Sequence, residues 1–342
     1  MAESSAQPLS DHEPIYRRNF LFFLTDNILF NLAFNIIGPT TLIPDFIRHL
    51  TRSEILIGLS SNLFDVGSTL PQLFIARYLV RFERMKWWFV GPNIPAQLVL
   101  LSFPVMIVVL GKDRPDAILF AFLICFGISA LGNGITNVPV WVLAGTSLDS
   151  RWRARWLGLT SAGVGVLMLA ITPLIGIVLS SAGPAFPNNY ALIFGAAGLL
   201  LALSILPMIF VHELPGGKVA AKIPSLAEYL PSLGHVLRTD VAFRAMLLTR
   251  MLTSLFAMAS PFYIGFATVQ LGLSSTVAVP VLLAMQTIGG VSGALIYTWL
   301  GARRNLMYIR LALGVAAFLP VSALLATVLG PLPLYLGFWR RG

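Results

Sequence analysis

The chain has 342 residues, of which 57% are hydrophobic and only 11% are Asp, Glu, Lys or Arg, with a mean hydropathy of +0.83. A soluble domain carries about a quarter charged residues, so this composition excludes one and requires an integral membrane protein. The net charge of +9 does not point to nucleic acid, because the cations sit in loops between apolar spans, where they set orientation.

Residues 1–18 are polar, and the apolar run that follows is long enough to read as a helix, not a cleaved leader. A bilayer core about 30 Å thick needs roughly 20 apolar residues in a helix. Runs of that length fall at 19–47, 55–80, 87–110, 117–145, 157–180, 190–211, 243–269, 275–300 and 306–329, and a tenth starts near Pro331. From Trp156 to Val211 there is no charged residue; the turn-rich Ser180–Asn189 divides this stretch into two spans. Met251 to Ala302 is likewise uncharged and divides near Leu271–Ser275. Placing the N-terminus inside puts sixteen cations in inner loops and four, Arg48, Arg52, Lys112 and Arg114, outside. That asymmetry predicts a cytoplasmic N-terminus in a multi-pass plasma membrane protein.

The longest polar segment, His212–Asp240, separates six spans from the rest. Leu226, Leu230, Leu233 and Leu237 recur in it at helical spacing, as in a short amphipathic helix on the inner membrane face, which Pro231 should kink or interrupt. A plain solvated linker fits the composition equally. The division expected is a tail at 1–18, a six-helix bundle at 19–211, a linker at 212–242 and a second, incomplete bundle at 243–342. Pro39 and Pro261, Gly67 and Gly289, and Arg81 and Arg303 are each 222 residues apart at matching topological positions, which suggests an internal repeat.

Polar groups at bilayer depth are costly and need an explanation. Asn27, Asn31 and Asn35 form one stripe in the first span, with Asp26 beside it; Asn133 and Asn137 repeat the spacing in the fourth. They line a solute pathway, or they are interhelical glue. Asp26 and Arg250 each lie seven residues inside the expected cytoplasmic start of a span and could pair as a gate or snorkel to the interface. Asp65 stands midway along the second span. It is a candidate proton carrier, or a structural acid bonded to a neighbouring helix. Gly158, Gly163, Gly165 and Gly289-Gly290-Val-Ser-Gly293 read as close-packing positions. Trp87, Trp88, Trp141, Trp152 and Trp156 read as an interfacial aromatic belt.

The pattern of six spans, a linker and a related second set resembles the major facilitator superfamily. The loop Arg81-Phe-Glu-Arg-Met-Lys86, with Arg81, Arg84 and Lys86, is similar to that family's basic signature between helices two and three. Gly301-Ala-Arg-Arg-Asn305, with Arg303 and Arg304, is similar to its weaker copy. Arg153-Ala-Arg-Trp-Leu-Gly158 with Thr172-Pro-Leu-Ile-Gly176 resembles the start of helix five, and Phe210-Val-His-Glu-Leu-Pro215 the exit from helix six. Ala76, Val80, Glu83 and Thr172 depart from the family pattern. The resemblance implies an all-α membrane fold in which helices one and four line a central cavity, so that the asparagine stripes face the solute. It also implies a secondary transporter working by alternating access, with a small-molecule substrate, a coupling proton or cation, and no cofactor or metal. By the 222-residue offset Gly342 lies opposite Phe120, so the second bundle is expected to be cut short after about nine helices; the alternatives are a non-transporting remnant of such a carrier, or a membrane enzyme. No Walker-type nucleotide motif is present, and His12, His49, His212 and His235 all fall in tails and loops, which disfavours a nucleotide motor or an enzyme.

Overall fold

A computed structural model describes residues 13–79, 81–214, 226–296, 314 and 321–341. The first apolar run, expected as one span over 19–47, is two helices: α1 (Glu13–Ile37) and the short α2 (Leu42–Leu50). The break is encoded at Gly38-Pro39. Gly38 adopts φ +55°, its N–H bonds the Phe34 carbonyl at 3.2 Å, and Pro39 offers no donor to continue α1. The chain restarts when Thr41 and Ile43 donate to the Gly38 carbonyl, both at 3.0 Å.

The next five helices follow the expected runs: α3 (Glu54–Leu79), α4 (Lys86–Leu110), α5 (Pro115–Ser147), α6 (Ser150–Leu179) and α7 (Asn188–Ile209). α6 begins seven residues before the expected 157, because Asp149 caps it by accepting from the Arg151 N–H. Arg151, Arg153 and Arg155 therefore lie on a helix and not in a loop. In the linker, α8 (Leu226–Thr239) runs unbroken through Pro231, so the expected interruption does not occur. The seventh run is divided into α9 (Val241–Met258), α10 (Ser260–Gly265) and a π-turn at Phe266–Gln270. α11 (Ser275–Ile296) follows, then helical residues at 321–329 and α12 (Leu332–Arg341). Arg303 and Arg304 lie outside the described residues.

The repeat has a structural counterpart. Pro39 and Pro261 both stand at a helix break, and Gly67 and Gly289 both stand inside the next long helix, α3 and α11. The first half packs α5 against α3 and α4, and α7 against α1 and α4. Small residues allow the closest approaches: a Cβ on Gly134 would strike the Ser68 carbonyl, and one on Gly67 would lie 2.8 Å from the Ala130 Cβ. The two halves meet where α6 packs on α11, and there a Cβ on Gly165 would come within 2.7 Å of Val291. Gly163 abuts Ile28, whereas no described atom lies within 4 Å of a Cβ on Gly158.

The face carrying the α1 N-terminus (the near face) is stitched by side chains. Asn19, fully buried, donates to the Ser147 carbonyl at 3.0 Å and the His212 carbonyl at 2.8 Å, and accepts from the His212 N–H at 3.0 Å. Glu213 reaches the start of α4, accepting from the N–H groups of Met85 at 2.5 Å and Lys86 at 2.9 Å, which places an anion on a helix N-terminus. Trp156 does not join an aromatic belt. Its indole is 1% exposed, donates to the Phe23 carbonyl at 3.0 Å and packs edge-on against the Phe23 ring. Trp87 and Trp141 are exposed as expected.

At the opposite, distal face α2 is sunk into the first bundle. Leu42, Phe46 and Ile47 are fully buried, and Phe46 meets Phe103, Phe194 and Tyr190 at ring separations of 5.0–6.2 Å. These contacts fix the height of the turn that carries the functional residues below.

Close approach at Gly134 makes a direct prediction. Gly134→Ala should destabilise the folded protein by about 1–3 kcal/mol through overpacking, whereas Gly91→Ala, with nothing within 4 Å of the added Cβ, should be neutral or mildly stabilising. Thermal unfolding of the two variants in the same detergent checks the difference.

Candidate functional site

Two features stand where the halves meet: a polar junction on the distal side and a cavity beneath it. The junction centres on Asp45, which is 2% exposed in α2. Its Oδ2 accepts from the Tyr190 hydroxyl of α7 at 2.7 Å, and its Oδ1 accepts from the Ser275 hydroxyl of α11 at 2.9 Å. One carboxylate thus ties two helices of the first half to the first residue of α11 in the second. A buried charge is tolerated only when its oxygens are satisfied, and both are.

Further contacts close the same side. Thr276 donates to the Leu179 carbonyl at 3.2 Å and Thr40 to the Gln286 side-chain oxygen at 3.3 Å, each crossing between halves. Arg48 holds Glu54 with two bonds of 2.5 and 3.0 Å, and its guanidinium lies so close to Gly265 that a Cβ there would strike it. On the near face, α9 packs on α8 and α10 and leaves Met246, Leu248 and Met251 more than half exposed.

Beneath the junction lies a cavity of about 170 Å³ between the halves. Phe34, Asn35 and Thr40 line it from α1 and the following turn, Ser61, Phe64 and Asp65 from α3, and Gln286 from α11. Asp65 is eleven residues into α3, about 16 Å along its axis, close to the middle of a 30 Å bilayer core. The Phe34 and Phe64 rings pack 4.7 Å apart at 54°.

The structure divides the expected site residues. Asn27, Asn31 and Asn35 form a ladder along α1: the Asn31 amide donates to the Asn27 carbonyl and side-chain oxygens at 2.8 and 2.7 Å, and Asn35 to the Asn31 carbonyl at 2.8 Å. Of the three, Asn35 is on the wall of the cavity between the halves. Asn133 instead borders a closed space of about 10 Å³ inside the first bundle, with Asn93 and Gln97, and Asn137 accepts from the Trp141 indole at 3.2 Å. Asp65 faces the cavity; the bonds from Ser68 and Thr69 go to its backbone carbonyl.

Asp26 is turned inward. It is 5% exposed and lies beside Ser204 of α7, its neighbour within the first half, and it stands thirteen residues into α1 rather than seven from its start. Arg250 is in α9 with its side chain outside the described residues, and its expected pairing with Asp26 therefore lies outside them too. Arg81 and Arg84 are exposed in the α3–α4 loop, and Lys86 opens α4 with its ammonium 5.5 Å from the Trp87 ring centre.

Sequence reasoning did not select Asp45, Tyr190 or Ser275. Asp45 was hidden by position, near the end of an apolar run and beside Arg48, where a charge reads as interfacial. The signal that was available is its place in Leu42-Ile-Pro-Asp-Phe-Ile47, an acid flanked on both sides by residues that are buried.

No protein-family profile matches the sequence, and no curated protein matches it. Solved structures do resemble it. A point mutant of the nucleoside transporter NupG superposes with a TM-score of 0.65 at 15% identity, covering 94% of this chain and 79% of that one. A bacterial homolog of the human lysosomal transporter Spinster, inward-facing and unoccupied, gives 0.60 at 15% identity over 96% of this chain and 74% of that one. Its occupied inward-facing form gives 0.51 at 16% identity over 96% and 73%. At such identities the likeness establishes architecture, and the architecture of this chain is the major facilitator fold.

Proposed function

We propose that the chain is a secondary active transporter that carries a small solute by alternating access. The observation that carries this reading is the cavity lined by both halves, together with the Asp45–Tyr190–Ser275 junction that ties those halves to each other on the distal side. Two halves that share a site and are held together on one side have the arrangement a rocking carrier needs. The solved neighbours being transporters supports a carrier over an enzyme.

In this reading the cavity residues Asn35, Asp65 and Gln286 contact the solute, and Asn27 and Asn31 extend the polar stripe toward the near face. The sixteen-to-four distribution of cations supports a cytoplasmic near face and a plasma membrane location, so the closed distal side faces outward. Opening that side requires Asp45 to release Ser275 while it keeps Tyr190. Asp65 serves as the group whose charge couples solute movement to a proton or cation. Asp26 and Arg250 serve as a gate, and charge reversal at both positions should then restore transport lost in either single variant.

The test is which side of the membrane reaches the cavity. With Cys125 replaced by Ala, a cysteine at Gln286 should react with a membrane-impermeant maleimide from the near face and poorly from the distal face. Adding Asp45→Ala should raise distal labelling about tenfold, since a lost hydrogen bond to a charged group costs about 1.5–3 kcal/mol. Equal labelling from both faces before the change, or no gain after it, would contradict the proposal.

A further inference from the structure

Resting on the reading of the cavity as the solute site, we propose that the solute is a small organic cation, an amine or quaternary ammonium carried on a flat apolar body. The argument is a count of donors and acceptors around the cavity. Three of its polar side chains direct a donor to the protein: one N–H of the Asn35 amide to the Asn31 carbonyl at 2.8 Å, the Ser61 hydroxyl to the Ile57 carbonyl at 2.9 Å, and the Thr40 hydroxyl to Gln286 at 3.3 Å. What they leave facing the cavity is mostly acceptor capacity. Asp65 adds a carboxylate, for which no described side chain supplies a hydrogen bond or an ion pair, and no Lys, Arg or His is among the described residues lining the cavity. The wall is therefore negative and richer in acceptors than donors, the second N–H of Asn35 and the Gln286 amide N–H₂ being its remaining described donors.

Such a wall discriminates by charge. An anionic solute would meet a carboxylate with no described partner and be repelled. A cation would satisfy that carboxylate and regain part of its lost hydration from the Phe34 and Phe64 rings, whose faces attract positive charge. The two rings, tilted at 54°, also suit a flat apolar group. The volume of about 170 Å³ equals the liquid share of about half a dozen waters, which sets the solute's size as small.

The probe is benzyltrimethylammonium, permanently charged and flat at one end, with benzoate as the anionic control and uridine as the neutral one. Equilibrium binding to the purified full chain should be saturable for benzyltrimethylammonium and not displaced by benzoate or uridine. Asp65→Asn should weaken binding about tenfold or more, and Asp65→Glu should retain most of it, with thermal unfolding confirming that both variants fold. Absence of saturable binding, an Asp65→Asn affinity equal to that of the unaltered chain, or equal displacement by uridine or benzoate overturns the assignment. The carrier reading fails separately. Binding that depends on Asp65 without movement of the cation across proteoliposomes under any gradient would retain the solute class and remove the transporter. Saturable uridine uptake unaffected by Asp65→Asn would do the reverse.

Discussion

The buried carboxylate of Asp45 is the constraint from which the rest of the distal architecture follows. Taking a carboxylate out of water costs several kcal/mol, so each oxygen must find a donor, and the donors come from two different bundles. Tyr190 is rigidly placed, because its ring is wedged against Phe46, Phe186 and His49. Ser275 is the first residue of α11, so its bond fixes where the second half begins. α2 can hold Asp45 at this depth because Gly38 and Pro39 end α1 and turn the chain into the bundle. A break of two residues thus sets the geometry of a contact between halves that are more than two hundred residues apart in sequence.

The same logic separates permanent from exchangeable contacts. Within the first half, helices approach through glycines and large aromatic clusters, where any displacement opens a void or a clash. Between the halves the ties include single hydrogen bonds, from Ser275, Thr276 and Thr40, each worth about 1 kcal/mol or somewhat more. A few such bonds hold one arrangement and can still be exchanged for another. Asn19 and Glu213, which bind only elements of the first half, belong to the permanent set.

The sequence made the architecture legible where apolar runs had clean ends. α4 and α7 match their expected spans within two residues, because charge or turn residues bound both runs. It hid the break in the first run, since Leu42–Leu50 is as apolar as a span and only Gly38-Pro39 marks the change of direction. It also hid Trp156, which reads as interfacial beside three arginines but lies under α1 because α6 starts early. The asparagine stripe was visible as a period of four, yet the period does not say which members reach a cavity. Asn35 does so because α1 ends two residues later and opens space beside it, whereas Asn133 is enclosed by α4 and α5. Asp65 was legible as an isolated acid, and its place on the cavity wall came into view only with the fold.

The most direct test of the account is whether the two faces move reciprocally. Spin labels on exposed Asp113 and Val269 report the distal separation of the halves, and labels on Phe82 and Val241 report the near-face separation. Distances measured by pulsed electron resonance in nanodiscs, with Asp45 intact and with Asp45→Ala, should show the distal pair moving apart as the near pair closes. Distal distances that stay fixed, or that widen with no change at the near face, would contradict a carrier whose halves rock about a shared cavity.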